Sequence, residues 1–264
     1  MLRSIAFLIA LLLMLAAPLL EAQMKRPSEP LVVELTNLDL AGWDCATKLE
    51  GSARKEDGKE RNRQKNRSPI DLANVKVVSL DTPAFLARVA DYDGKIQVKH
   101  RRDLSAAQKE QLQNFEKDFV SLTGWLVMAY HGVPETTNCG SDHFLDWHLE
   151  IFAQPADHPP RVGDPTPIQC EITPRTEGLL YREGVRLQKL AAFIRLPDKS
   201  VRPTGEQAHK VRVTGYLLWD DEHNGSADIG STIRWFGSNG YHHPWRSTAW
   251  EVHPVMRIED LGTK

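Results

Sequence analysis

Five stretches in the second half of this 264-residue chain alternate or run apolar in the manner of half-buried strands, and a helical pattern separates the third from the fourth. The strands are Val120 to Tyr130, Trp147 to Ala153, Ile168 to Thr173, Lys210 to Trp219 and Thr248 to Ile258. Between them, Val185 to Ile194 places Leu187, Leu190 and Ile194 on one helical face. Three strands, a helix and two strands is the order of a five-stranded oligonucleotide/oligosaccharide-binding (OB) barrel. The expected class is therefore α+β, mainly β: an OB-like antiparallel barrel over 119–264, preceded by an extension with short helices over 23–118. A generic β-sandwich is the alternative, and the interposed helix counts against it.

At the start, Ile5 to Leu20 is almost entirely Ile, Leu, Ala, Phe and Met, behind Arg3 and broken by Pro18. That is the core of a signal peptide. A membrane anchor is the other reading of such a run, but Pro18 and the small residues toward Ala22 fit cleavage near Ala22. The expectation is a signal peptide over 1–22 and a mature chain without a membrane span, free in the periplasm or outside the cell. Within the extension, Lys48 to Arg67 is nearly devoid of apolar side chains and reads as a solvated loop or exposed helical turn. Ser105 caps a predicted helix at about 105–118, with Leu112, Phe115 and Phe119 recurring at helical spacing.

An exported chain meets an oxidising compartment, so its three cysteines, Cys45, Cys139 and Cys170, leave one unpaired. Cys170 shares a strand face with Ile168 and Ile172 and reads as buried; Cys45 and Cys139 lie in polar loop sequence and are the expected disulfide. A formal net charge of −2 removes the global electrostatic argument for nucleic acid or anionic membranes and leaves only local patches. No phosphate loop and no nucleophile elbow is present.

Strand alternation sorts the polar residues. With Leu149 and Ile151 inward, Asp146, His148 and Glu150 face outward. Ile168, Cys170 and Ile172 inward leave Glu171 outward, and Trp250, Val252 and Met256 inward leave Glu251, His253 and Arg257 outward. OB strand order sets the third strand between the second and the fifth, so these outward residues form one surface stripe, with Asp220 and His223 at its rim and Arg246 within reach. Adjacent carboxylates repel, and Arg175, Arg246, Arg257 or a divalent metal would compensate them. The candidate catalytic residues are His148, His223, His253, Glu251 and Arg246. Those for ligand binding are Glu150, Glu171, Arg175, Asp220, Trp235 and Trp245, the last two being loop aromatics able to stack on bases or sugar rings. His148, His223 and His253 are also the candidate metal ligands. His242-His243 reads as a mobile surface feature.

Leu49-Glu50-Gly51, Asn62 to Arg67, Glu135 to Cys139, Asp146-Trp147-His148-Leu149-Glu150, Glu171 to Arg175, Val213 to His223 and Trp245 to Val255 together carry a resemblance to a group of exported bacterial proteins of uncharacterised function. It covers most of the chain after the leader and implies export. A more distant similarity is to shorter exported bacterial proteins in which His148, His223 and His253 have matching places. Two functions follow as expectations. One is a binding module whose His/Glu/Arg site takes an unidentified polar ligand: a glycan, an oligonucleotide or a protein segment. The other is a divalent-metal-dependent hydrolase, phosphodiesterase-like, using the same residues.

Overall fold

The computed structural model describes residues 33–264 apart from residues 71 and 239; the expected leader, 1–22, lies outside the described residues. Five strands close into a barrel in the OB order. β2 (Phe119–His131), preceded by β1 (Val77–Asp81), pairs antiparallel with β3 (Trp147–Phe152), and β3 with β4 (Ile168–Ile172). After two short strands, β5 (Phe193–Arg195) and β6 (Val201–Pro203), comes β7 (His209–Trp219); a small hairpin, β8 (Trp235–Phe236) and β9 (His242–His243), precedes β10 (Trp250–Asp260). β10 runs parallel to β4, antiparallel to β7, and β7 closes antiparallel onto β2. The single parallel seam, Val252 opposite Cys170, makes the barrel mixed, as placing the third strand beside the fifth requires. Among the described residues no helix is long and apolar enough to cross a membrane.

Inward side chains fill the barrel as alternation predicts: Leu149, Ile151, Ile168, Cys170, Ile172, Trp250 and Val252 share one buried core. Parity then slips. Register shifts follow Val252 and Val255, so Val255 and Ile258 join that core and Met256, though buried, does not. Each extra residue re-aims the strand, and the second shift restores the alternation that the first breaks. Arg257 points outward as alternation places it, but it is exposed and pairs with Glu259 at 2.9 Å, away from the polar wall.

Helices pack on the barrel. α1 (Glu56–Lys65) lies in the extension. α2 (Thr82–Ile96), capped by Asp81, buries Phe85, Val89, Tyr92 and Ile96 in the barrel core. α3 (Ala106–Phe115) carries the predicted Ser105 cap, a reciprocal box with Gln108. The helix expected over Val185 to Ile194 is largely elsewhere. α4 spans Pro174–Arg182, α5 is one turn at Leu187–Leu190, and Phe193 and Ile194 are in β5. Thr173 and Pro174 start α4 with a cap and a fixed φ, a stronger signal than the apolar spacing at 187–194.

The Lys48 to Arg67 segment also departs from expectation. It contains α1, whose buried face is Arg61, Asn62 and Lys65. A helix without apolar residues finds a buried place here because it packs on carboxylates and backbone carbonyls. Asn62 donates to Glu50 O (2.9 Å) and Asn66 to Leu49 O (2.9 Å) and Thr137 O (3.1 Å). The Cys45–Cys139 disulfide ties the same region to the β2–β3 loop, and Cys170 is free and buried, as the sequence indicates.

Candidate functional site

The polar wall of the barrel is assembled as strand parity requires, but it is buried. His148 on β3 stands in register with Glu171 on β4, their Nδ1 and Oε1 atoms 3.2 Å apart. From β10, His253 sets Nδ1 2.9 Å from Glu171 Oε2 and 3.0 Å from Glu251 Oε1, while Arg246 donates to Glu251 Oε2 at 2.7 Å and lies 3.8 Å from Glu171. Glu171, Glu251, His253 and Arg246 are all essentially without solvent contact. α1 and the two loops flanking β3 and β10 roof the expected surface stripe.

Charge is balanced within this layer. Lys65 reaches Asp220 at 3.1 Å, Glu135 at 3.4 Å and Glu171 at 4.0 Å. Arg61 lies 3.9 Å from Asp220, donates to Asp221 at 2.7 Å and pairs with Glu222. Burial pushes Glu171 up, yet His148, Lys65 and His253 outweigh it and hold the carboxyl well below its usual range. Asp220 behaves likewise, with Lys65, His223, Arg246 and Arg61 overcoming burial. Burial opposes a charge on His253, but Glu171 and Glu251 override it and raise the imidazole to about 10. Asp146, Glu171 and His253 each bring one ligand-type atom within 4.8 Å of the others. Lys65, Arg246 and protonated His253 already supply the positive charge that this acidic group requires.

One histidine leaves this layer for solvent. His148 is 8% exposed and forms the floor of a pocket of about 310 Å³. Tyr130 and Gly132 at the end of β2, Val133 and Glu135 of the β2–β3 loop, and His223, Asp228, Tyr241, His243 and Trp245 of the β7–β10 segment line it, with Lys199 at the β5–β6 turn. Tyr130 stacks on the His148 ring at 5.1 Å. A Cβ at position 132 would stand 2.6 Å from His148 Nε2, so glycine is what keeps that nitrogen clear. Gly132→Ala is expected to turn the ring and shift the His148 imidazole resonances, leaving those of His209, which pairs with Asp260, in place. An unchanged His148 spectrum would contradict this geometry.

Across the pocket His223 lies 3.8 Å from Asp228 Oδ2, and the indole of Trp245 donates to Asp228 Oδ1 at 3.0 Å. Burial disfavours the charge on His223, but Asp220 and Asp228 raise its pKa overall; for His148 burial outweighs Glu171, Glu135 and Glu251 and lowers it. The environments thus separate two imidazoles of one pocket. Trp235, 43% exposed, stacks on His243 at the rim at 5.4 Å, with Phe236 exposed beside it.

Compared with protein-family models, with curated proteins and with solved structures, the chain matches none of them at a significant level. The reading of the site therefore rests on its geometry.

The structure unites His148, Glu171, Glu251, His253, Arg246 and Asp220, and sets His223 and Trp245 in the pocket. It separates two other candidates. Glu150 is buried in a different group, 3.8 Å from His242 and beside Gln169. Arg175 binds the roof, donating to Cys45 O at 2.6 Å, Asn66 at 2.7 Å and Asn138 at 3.2 Å. Nor is the His242-His243 pair a surface feature: it forms β9, with His242 buried. Lys65, Arg61, Tyr130, Tyr241, Glu135 and Asp228 are additional site residues. Of these, Lys65 and Glu135 lie within the Asn62 to Arg67 and Glu135 to Cys139 motifs, and Arg61 lies just before the first.

Proposed function

We propose that the protein is an exported OB-type binding module that takes one unit of a polar, chain-like ligand into the His148/His223 pocket. The observation that carries this is position: the pocket lies between the β2–β3 loop and the β7–β10 segment, where OB barrels hold oligonucleotides and oligosaccharides. Likeness of fold supports a ligand class only by analogy; the lining adds the chemistry. Trp245 and Tyr241 set rings in the lining, His148 and His223 offer imidazoles, and Trp235 outside the rim, 43% exposed, offers a platform for a neighbouring unit. The apolar leader and the Cys45–Cys139 disulfide support export.

The second reading, a divalent-metal hydrolase, is favoured by the convergence of Asp146, Glu171 and His253. It is weakened by Lys65 and Arg246, which both face Glu171. Titration of the purified protein with short glycan and single-stranded oligonucleotide panels tests the binding reading. Saturable binding is expected, weakened about tenfold by Trp235→Ala, consistent with about 1–3 kcal/mol for a stacked ring. Lack of saturable binding across both panels, together with stoichiometric metal by elemental analysis, would reverse the order of the two readings.

A further inference from the structure

The pocket floored by His148 presents hydrogen-bonding groups of both kinds. Among the described residues its lining holds two carboxylates, Glu135 and Asp228, three imidazoles, His148, His223 and His243, and one ammonium, Lys199. Each carboxylate keeps acceptor sites to spare. Glu135 turns Oε2 to Lys65 at 3.4 Å, which leaves Oε1. Asp228 takes the Trp245 indole on Oδ1 at 3.0 Å, and its Oδ2 stands 3.8 Å from His223, beyond hydrogen-bond distance. Gly132 keeps His148 Nε2 clear on the pocket side, since a Cβ there would stand 2.6 Å from it. Resting on the binding reading above, we propose that the ligand is an uncharged glycan, with one hexose ring in this pocket and the next on Trp235, and that nucleic acids and acidic polysaccharides are refused.

The class follows from charge and from the groups each ligand presents. Phosphate and uronate oxygens are negative and only accept hydrogen bonds, so Glu135 and Asp228 would meet them with lone pairs and like charge. Exposed Lys199 is the single lysine or arginine in the described lining to set against those two acids. Lys65 is buried and shared among Glu135, Asp220 and Glu171. A hydroxyl carries no charge and both donates and accepts. It can give its hydrogen to Glu135 Oε1 or Asp228 Oδ2 and take one from Lys199. His148 Nε2 serves it equally as donor or acceptor, so the fit does not depend on which ring nitrogen holds the hydrogen.

Size sets how much of the chain enters. At about 310 Å³ the pocket is at the lower limit of ligand pockets, which run from about 300 to about 1,000 Å³, and has room for one pyranose ring with its hydroxyls. A second ring must lie outside. His243 belongs to the lining, and Trp235 stacks on it at 5.4 Å, so the indole stands one ring away from the pocket and, at 43% exposure, keeps surface open to solvent. The C–H face of a pyranose is apolar and packs on such an indole while its hydroxyls stay hydrated at the edge.

The purified protein is titrated by calorimetry with cellohexaose, mannohexaose and N-acetylchitohexaose, with hexagalacturonate, and with single-stranded RNA and DNA hexamers. At least one neutral hexasaccharide should saturate the protein, with an affinity that changes less than about twofold between about 50 and about 500 mM salt, because no counterions are released. Hexagalacturonate and the oligonucleotides should bind at least about tenfold more weakly, the effect of like charges brought together. The affinity gained on going from the monosaccharide to the hexasaccharide should fall about tenfold in Trp235→Ala. Val133 lines the pocket and is 49% exposed, so Val133→Trp should fill it and cut binding about tenfold or more at an unchanged melting temperature. Should that variant melt early, the His148 imidazole resonances of the wild-type protein must shift when the glycan is added. Hexagalacturonate or an oligonucleotide bound within about tenfold of the best neutral glycan, or more tightly, overturns the proposal and leaves the binding reading standing. Glycan binding that neither Val133→Trp nor the His148 resonances register places the ligand outside the pocket and ends both, as does failure of every probe to bind.

Discussion

Replacing Arg246 by methionine is expected to cost about 3–5 kcal/mol of folding stability at neutral pH, measured by denaturant-induced unfolding. The side chain is wholly buried, donates to Glu251 at 2.7 Å and stands 3.8 Å from Glu171. Methionine fills similar space but leaves Glu251 facing only His253, 3.0 Å away, which must also serve Glu171. Glu251 would then depend on an imidazolium that it shares with Glu171, in a region closed to water where the other cation, Lys65, faces Glu171. The cost is that of the stranded charge, not the net worth of the pair, so removing the charge should return part of it. Arg246→Met combined with Glu251→Gln is therefore expected to be more stable than Arg246→Met alone, a coupling that a double-mutant cycle isolates. An Arg246→Met protein within about 1 kcal/mol of wild type would show that the network does not bear on folding.

The barrel was legible because its strands obey one local rule, and Leu149, Ile151, Cys170 and Val252 land in the core where period two places them. The same rule gathered His148, Glu171, Glu251 and His253 on one wall. It could not show that the wall is roofed, since the roof is made by tertiary contacts of segments whose composition signals solvent. Arg61 and Lys65 lie in a nearly apolar-free run, yet become buried because acids from β4 and the end of β7 wait for them. Beyond His253 two register shifts put Val255 rather than Met256 in the core and then restore the alternation, so Arg257 points outward as expected but stands past the buried wall, beside Glu259. The pocket was the least legible part. Tyr130, Gly132, Asp228 and Tyr241 come from separate segments, and only the closing of the barrel sets them round His148.

Glu150→Gln is expected to stabilise the protein in mild base and to do little in acid. Glu150 is fully buried, neither carboxyl oxygen meets a donor in good geometry, and His242 stands 3.8 Å away. Burial raises its pKa from 4.5 to about 8, with Arg195, Tyr130 and Gln169 opposing only in part. Burial and Arg195 hold His242 down at about 3, so it stays neutral and gives no countercharge. Below the ordinary carboxyl range both folded and unfolded chains carry the proton and the group is neutral in its effect. As pH rises from there, the unfolded chain releases the proton and the folded chain keeps it, so stability falls until the folded group ionises at about 8, and above that the full cost remains. The ceiling is on the order of 4 kcal/mol from the size of the shift, and relaxation of the site reduces it to about 2 kcal/mol. Glutamine keeps the shape and cannot ionise. Its melting temperature should match wild type near pH 4.5 and exceed it clearly at pH 8.5. Groups common to both proteins, such as Asp146 at about 7 and His253 at about 10, cancel in that difference. A gain of equal size at both pH values would show that Glu150 does not titrate in this window and that its pocket is wetter or better paired than its neighbours indicate.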